Sequence, residues 1–480
     1  MSILALGEPT PGGRLTYLLP LALLVLCAGV YAVCMYSLPP LYALAVLVMV
    51  GLCILTFINM LAGLIVMAAC MLFSPEISLA AGAGRAITLR AEDLLLAVIF
   101  LAWLGRMAIL RERRILPGSP VDKPLIAMTL VAAVATFQGV LIGTVRPTSG
   151  LFYNLKVVEF YLIFFLVANY VRTELQVKRL VAMMVVVGLA IAVHAMTQIN
   201  SGSRLSAPFE GNPEPNTLGG YMVMLMGISL AFLVYAETKV QRAWWTAGCI
   251  LILIPFIYTL SRTSYLALMG MVFFLAVFSR RRWLLYLLGV GLLAAPLILP
   301  QEVWERVAFT WQEKRYFGLE SSAAERIWSC VKAFKLWRER PLLGVGVTGA
   351  GLLDVHYARV LSEMGLAGVA AFTWMNVSLF RMSRSVFRRG EGLHRSLALG
   401  FMAAHVGVLV HSLGAISFYI VRIMEPFWFL AGLVAVLFRL QAEVEYEGAP
   451  AGSMGRAESA RAGSLGGAEE TIVSRCQTSA

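Results

Sequence analysis

No charged residue interrupts the chain from Leu41 to Phe73. That run is too long for one bilayer crossing, which takes about 20 apolar residues. It is far too apolar for a soluble helix, which must keep one polar face. Comparable runs recur almost to the end of the sequence. Apolar residues make up 59% of the 480 and charged residues only 14%, with a mean hydropathy of +0.79. A water-exposed surface cannot be covered from that composition, so the chain reads as a polytopic membrane protein. Disordered, collagen-like and disulfide-scaffold classes are excluded by the same figures. The seven cysteines form no Cys-x-x-Cys pair, and five lie inside apolar runs, so they indicate neither a metal site nor a disulfide framework.

The expected fold class is an all-α transmembrane helical bundle of about 14 spans (12–14). Spans are expected near 15–35, 40–58, 60–79, 92–110, 124–143, 151–171, 176–198, 216–236, 243–260, 263–279, 283–299, 364–381, 396–415 and 418–438. The Leu41–Phe73 run is divided at Asn59. Residues 1–150 form an N-terminal set of helices and residues 151–440 the membrane core. Residues 300–363 form a large helical extracytoplasmic loop, with helical periodicity from Ala323 to Trp337 and a break at Pro341. The tail 441–480, rich in Gly, Ala, Ser and Glu, is expected to be disordered and cytoplasmic. The net charge of +12 is no nucleic-acid signature, because the basic residues mark one side of the membrane. With the N-terminus inside, inner loops hold Arg172, Lys178 and Arg179, then Lys239 and Arg242, then Arg280 to Arg282, then Arg381 to Arg395. Both termini are then cytoplasmic.

Three loops on the opposite side each present an arginine in polar company: Arg204 before Pro208 to Gly220, Arg262 in Ser261-Arg262-Thr263-Ser264, and Arg326 on the expected loop helix. A guanidinium offers a planar fork of donors that matches phosphate oxygens, so their convergence would suit a lipid diphosphate. Each alone could equally snorkel to the headgroups. Gly344, Gly346 and Gly349 fit G-x-G-x-x-G, but no strand precedes them, so a dinucleotide site is rejected. They read as a flexible turn or as a backbone cradle for phosphate. A helix starting near Asp354 puts His356, Arg359 and Glu363 on one face, although Asp354 would serve equally as its N-cap. Arg422 and Glu425 in the last span, His411 late in the one before, and Lys156 with Glu159 are ionisable groups within spans, candidates for function or for mutual neutralisation. His194, His394 and His405 stand alone and read as packing or loop residues. No cluster has zinc- or iron-site spacing.

These stretches resemble the O-antigen ligase and O-antigen/exopolysaccharide polymerase family of bacterial envelopes. The likeness rests on the Arg204–Gly220 loop, Ser261 to Ser264, Arg326-Ile-Trp328 leading to Pro341-Leu-Leu-Gly344-Val-Gly346, and Asp354 to Gly368. It covers roughly 150–440. The ending His411-Ser-Leu to Phe418-Tyr-Ile-Val-Arg422-Ile-Met-Glu425-Pro-Phe-Trp428 is similar to the capsule and exopolysaccharide polymerases more than to the ligases. The resemblance implies a glycosyltransferase of the bacterial cytoplasmic membrane that uses an undecaprenyl-diphosphate-linked glycan, with no cofactor, metal or nucleic acid. A chain-length regulator and other polysaccharide assembly proteins are implied partners, beside the membrane lipids. It assigns Arg204, Arg262, Arg326, Tyr357, Arg359, Glu363, His411 and Arg422 to diphosphate or glycan binding. In the ligases a histidine stands nine residues before a Glu-x-Gly-x-x-Gly ending. Counted back from Glu363 that register is Asp354, with His356 two residues on, so either is the candidate base. Polymerase leads, ligase is the alternative, and a lipid-linked glycan transporter with no covalent chemistry is the reading from another class.

Overall fold

The computed structural model describes residues 51–447 apart from 53, 57, 75, 82–85, 111–117, 200–203, 209–213, 299 and 313–320. The span expected at 15–35, most of the one at 40–58, and the tail from 448 lie outside the described residues. Asn59 does divide the long apolar run. Its side chain accepts from the amides of Leu61 and Ala62, capping α1 (Met60–Phe73). That helix stops short of the expected 79. Ser74 is extended, as a residue before proline prefers, and an antiparallel hairpin follows, β1 (Glu76–Ala81) paired with β2 (Ala86–Arg90). This hairpin is the one departure from an all-helical fold among the described residues.

The helices then run α2 (Ala91–Leu110), α3 (Asp122–Leu141), α4 (Pro147–Tyr170), α5 (Glu174–Thr197), α6 (Pro215–Val234), α7 (Lys239–Tyr258), α8 (Arg262–Ser279), α9 (Arg282–Ile298), α10 (Gln301–Gln312) and α11 (Ser321–Glu339). They finish with α12 (His356–Arg389), α13 (Gly392–His411) and α14 (Val421–Glu447). Nine of these, α3 to α8 and α12 to α14, are long and apolar enough to cross a membrane. Local chemistry sets several ends. Thr173 with Gln176 and Thr238 with Gln241 are capping boxes that start α5 and α7.

At the centre α6 and α14 are almost wholly buried and α13 lies along α6. Glycine makes the α6–α13 crossing possible. A Cβ on Gly227 would lie 3.0 Å from the Ala404 nitrogen, and one on Gly400 would lie 3.0 Å from Ile228 Cα. Without a hydrophobic drive between helices in lipid, such close backbone approach is what holds them. Around this centre, α7 and α9 present Trp244, Ile250, Leu293 and Leu297 outward.

The expected loop helix is α11, ending at Glu339 two residues before Pro341. The glycine-rich stretch after it is no phosphate cradle. Val345 and Gly346 donate their amides to Ser362 O and Glu363 O, both at 2.9 Å, and Thr348 N donates to Glu363 Oε1 at 3.1 Å. Leu366 N and Ala367 N donate back to Pro341 O and Leu342 O. Two irregular backbones thus pair, and α12 breaks where they meet, at Gly365 with φ 60° and ψ −155°.

Candidate functional site

The turn between α7 and α8 is a tight corner. Leu260 is left-handed at φ 52°, and Ser261 caps α8 by accepting from Ser264 N at 3.3 Å. Arg262 is thereby the first residue of α8, half-buried. Arg204 reaches the same corner from its loop, Nη2 donating to Leu260 O at 3.4 Å. Arg326 arrives from α11, Nε donating to Gly414 O at 3.0 Å. A Cβ on Gly414 would lie 2.6 Å from Thr263 Oγ1 and 3.3 Å from Arg326 Nε, so Arg326 borders the corner too. The structure therefore brings together the three arginines singled out in the sequence.

Beneath the corner runs a chain of hydroxyls and one imidazole. Ser417 Oγ lies 2.8 Å from His411 Nδ1, and His411 Nε2 lies 3.2 Å from Ser264 Oγ. Ser264 Oγ lies 2.8 Å from Ser261 Oγ, which donates to Asn216 Oδ1 at 2.6 Å. One proton arrangement satisfies every member: Ser417 donates to Nδ1, Nε2–H to Ser264, Ser264 to Ser261 and Ser261 to Asn216. His411 is 1% exposed, so it ties the end of α13 to the start of α8 rather than facing a substrate. Gly219 and Gly220 make room for this chain, since their Cβ atoms would fall 2.3 Å from Ser264 Oγ and 3.0 Å from His411 Cε1. Asn216 and Ser417 were not singled out from the sequence. Their signal is only a polar residue at the start of α6 and another before the aromatic pair Phe418-Tyr419.

The Asp354–Glu363 segment divides between surface and interior. Its helix starts at His356 with Val355 as the capping residue and no side-chain cap, so Asp354 is not the N-cap. Asp354 is exposed, and its amide donates to Ser329 Oγ at 3.2 Å. Ser329 follows Arg326 by three residues on α11, which places both on one helix face. His356 is 2% exposed, boxed by the rings of Phe372, Phe418 and Tyr419 at 5.0–5.6 Å, and its Nδ1 meets no hydrogen-bond partner.

Arg359 is also interior, 4% exposed, with Nε donating to Glu363 Oε1 at 3.1 Å. Its guanidinium lies 4.6 Å from the Tyr419 ring and 5.6 Å from that of Tyr153, close enough for cation–π attraction. Burial pushes the Tyr419 phenol above its usual range, so the ring over Arg359 keeps its proton. Tyr357 donates its hydroxyl to Leu409 O at 2.7 Å. Tyr357, Arg359 and Glu363 therefore form a frame at the start of α12, while the His356 amide donates to Ser412 O at 3.2 Å and its ring is turned into the aromatic box.

Arg422 is 1% exposed, and its Nη1 donates to Leu72 O at 3.2 Å and to Pro208 O. The expected neutralisation of Glu425 by Arg422 is replaced by a contact of Glu425 with Lys156 at 3.9 Å. The Lys156–Glu159 pair forms as expected, at 2.8 Å. His405 is a core residue whose Nε2 meets Asn376 Oδ1 at 2.7 Å, and His394 meets Gln441 at 3.1 Å.

From the corner a cleft of about 1810 Å³ runs between α6, α7, α8 and α9. Arg262 and Trp304 line one end; Leu253, Phe256, Leu268, Val272 and Leu287 line its length; Arg242, Arg281 and Arg395 line the other end. An apolar channel with cationic groups at its ends suits a long-chain amphiphile with an anionic head.

Residues 247–373 match the family model described as O-antigen ligase, supporting the O-antigen ligase-like family. The matched segment holds Arg262, Arg326 and the whole Asp354–Glu363 stretch, and leaves Arg204, His411 and Arg422 outside it. No curated protein matches the chain.

Proposed function

Taking the chain as an O-antigen ligase-like membrane enzyme, we propose that it polymerises undecaprenyl-diphosphate-linked repeat units into an exopolysaccharide, capsule or O-antigen chain. The observation that carries this reading is the meeting of Arg204, Arg262 and Arg326 around one corner at the mouth of an apolar cleft. The polyprenyl tail lies in the cleft and the diphosphate sits at the arginines. The corner faces outward from the cytoplasmic membrane, in a fold of about 14 spans.

The acceptor hydroxyl of one repeat attacks the anomeric carbon of the growing glycan. The bond from that carbon to the diphosphate breaks, and lipid diphosphate leaves. The arginines stabilise the charge that develops on the departing oxygens. Asp354 takes the acceptor proton. It is exposed and tied to the helix face that carries Arg326, whereas His356 is shut in an aromatic box. The chain from Asn216 to Ser417 holds the corner in shape.

A second reading, transfer of finished glycan to a lipid or protein acceptor, is favoured by the matched family's own description. Purified protein given lipid-diphosphate repeat units alone separates the two. A polymerase yields a ladder of longer glycans with release of lipid diphosphate. A ligase yields nothing until the lipid or protein acceptor is added.

A further inference from the structure

Unused by the chemistry above, four carboxylates gather inside the bundle. Glu92 and Asp93 start α2, Glu159 lies on α4 and Glu425 on α14. Among the described residues, two cations contact them. Lys156 gives Nζ to Asp93 at 2.6 Å and Glu159 at 2.8 Å, and Arg90 lies 3.6 Å from Glu92. Glu425 is left over. It is 1% exposed, neither of its oxygens accepts a hydrogen bond, and Lys156 approaches it only to 3.9 Å. Arg422, one turn earlier, directs Nη1 to two backbone carbonyls instead. An ionised carboxylate so enclosed costs several kcal/mol unless a compensating charge reaches it.

We propose that Glu92, Asp93 and Glu425 bind one divalent cation of the oxygen-preferring class to which calcium belongs. One oxygen from each lies within 4.8 Å of the others. The donors are all hard oxygens, and the surplus of carboxylates over contacting cations supplies the charge such an ion neutralises. The cation joins the start of α2 to α14 next to Lys156 of α4.

The test uses the full chain purified in detergent, stripped with a chelator, then dialysed against radioactive calcium. Expected are one calcium bound per chain and a raised unfolding temperature with calcium. Glu425→Gln and Asp93→Asn should each weaken calcium binding by roughly tenfold or more, because affinity follows ligand charge. In chelator, Glu425→Gln should unfold no lower than the parent, since it deletes the uncompensated charge. The proposal is overturned if the parent chain binds no calcium, or if both variants bind it as well as the parent. None of these readouts uses a glycan substrate, so they are separate from the outcome for glycosyl transfer.

Discussion

A single side chain, that of Arg262, separates the diphosphate reading from ordinary snorkelling. Lysine keeps the charge but loses the planar two-pronged grip. Arg262→Lys is therefore expected to cut polymer formation by ~10-fold or more at normal protein abundance, measured as ladder intensity per unit of membrane protein. Full yield would return Arg262 to the headgroup role. The base is decided in the same assay. Asp354→Asn should abolish chain extension, whereas His356→Ala should lower thermal stability by about 2–4 kcal/mol, as loss of a packed ring does, while the folded fraction stays active. An active Asp354→Asn beside a dead but folded His356→Ala would reverse the assignment. The three arginines that meet at the corner were singled out by residue type and motif order. What the sequence did not reveal is which of two neighbours, Asp354 or His356, is enclosed. That depends on Phe372, further along α12 past its break at Gly365, and on Phe418 and Tyr419 from the turn before α14. Nor could spacing tell that Glu425 meets Lys156 from a helix some 270 residues away rather than Arg422 one turn before it.

Elements were read well where apolar length alone decides, and less well where backbone conformation does. The apolar run is too long for one span and divides at Asn59, which caps α1. The hairpin after Ser74 escaped because its strands are as apolar as the span they replace. Helical spacing placed Arg359 and Glu363 correctly as a pair, but the same helix is broken two residues later. Gly365 has φ 60° and ψ −155°, and a Cβ there would lie 2.4 Å from Leu342 O. That backbone region is essentially reserved for glycine. Gly365→Ala should therefore cost about 1–3 kcal/mol in strain alone, read as a lowered unfolding temperature in detergent. It should also loosen the Thr348 and Gly346 contacts that fix Glu363. Gly289→Ala, where a Cβ meets nothing within 4 Å, is the control expected to leave stability unchanged. A Gly365→Ala chain as stable as the parent would show that the break in α12 is not fixed by its backbone.

Over the whole molecule, basic residues gather at two ends of one cleft. Arg242, Arg281 and Arg395 come from three different connections yet line the same end of the cleft, with Arg395 5.8 Å from the Tyr235 ring. Arg204, Arg262 and Arg326 gather at the α7–α8 corner. Connections alternate between these ends as helices that cross a bilayer require, so assigning one connection assigns them all. The chain supplies its own probe. Cys330 is exposed on α11, whereas Cys70 and Cys249 are half-buried on apolar helices. If the corner faces away from the cytoplasm, a membrane-impermeant maleimide should label Cys330 in intact cells, and Cys330→Ser should remove that signal. In the Cys330→Ser background, Arg384→Cys should react only after the cells are permeabilised. Residual labelling in intact Cys330→Ser cells would point to Cys476 and place the tail outside. Protection of Cys330 together with labelling at position 384 would invert the molecule. The arginine corner would then face the cytoplasm, where a glycan already carried across the membrane cannot reach it, and both the polymerase and the ligase readings would fail together.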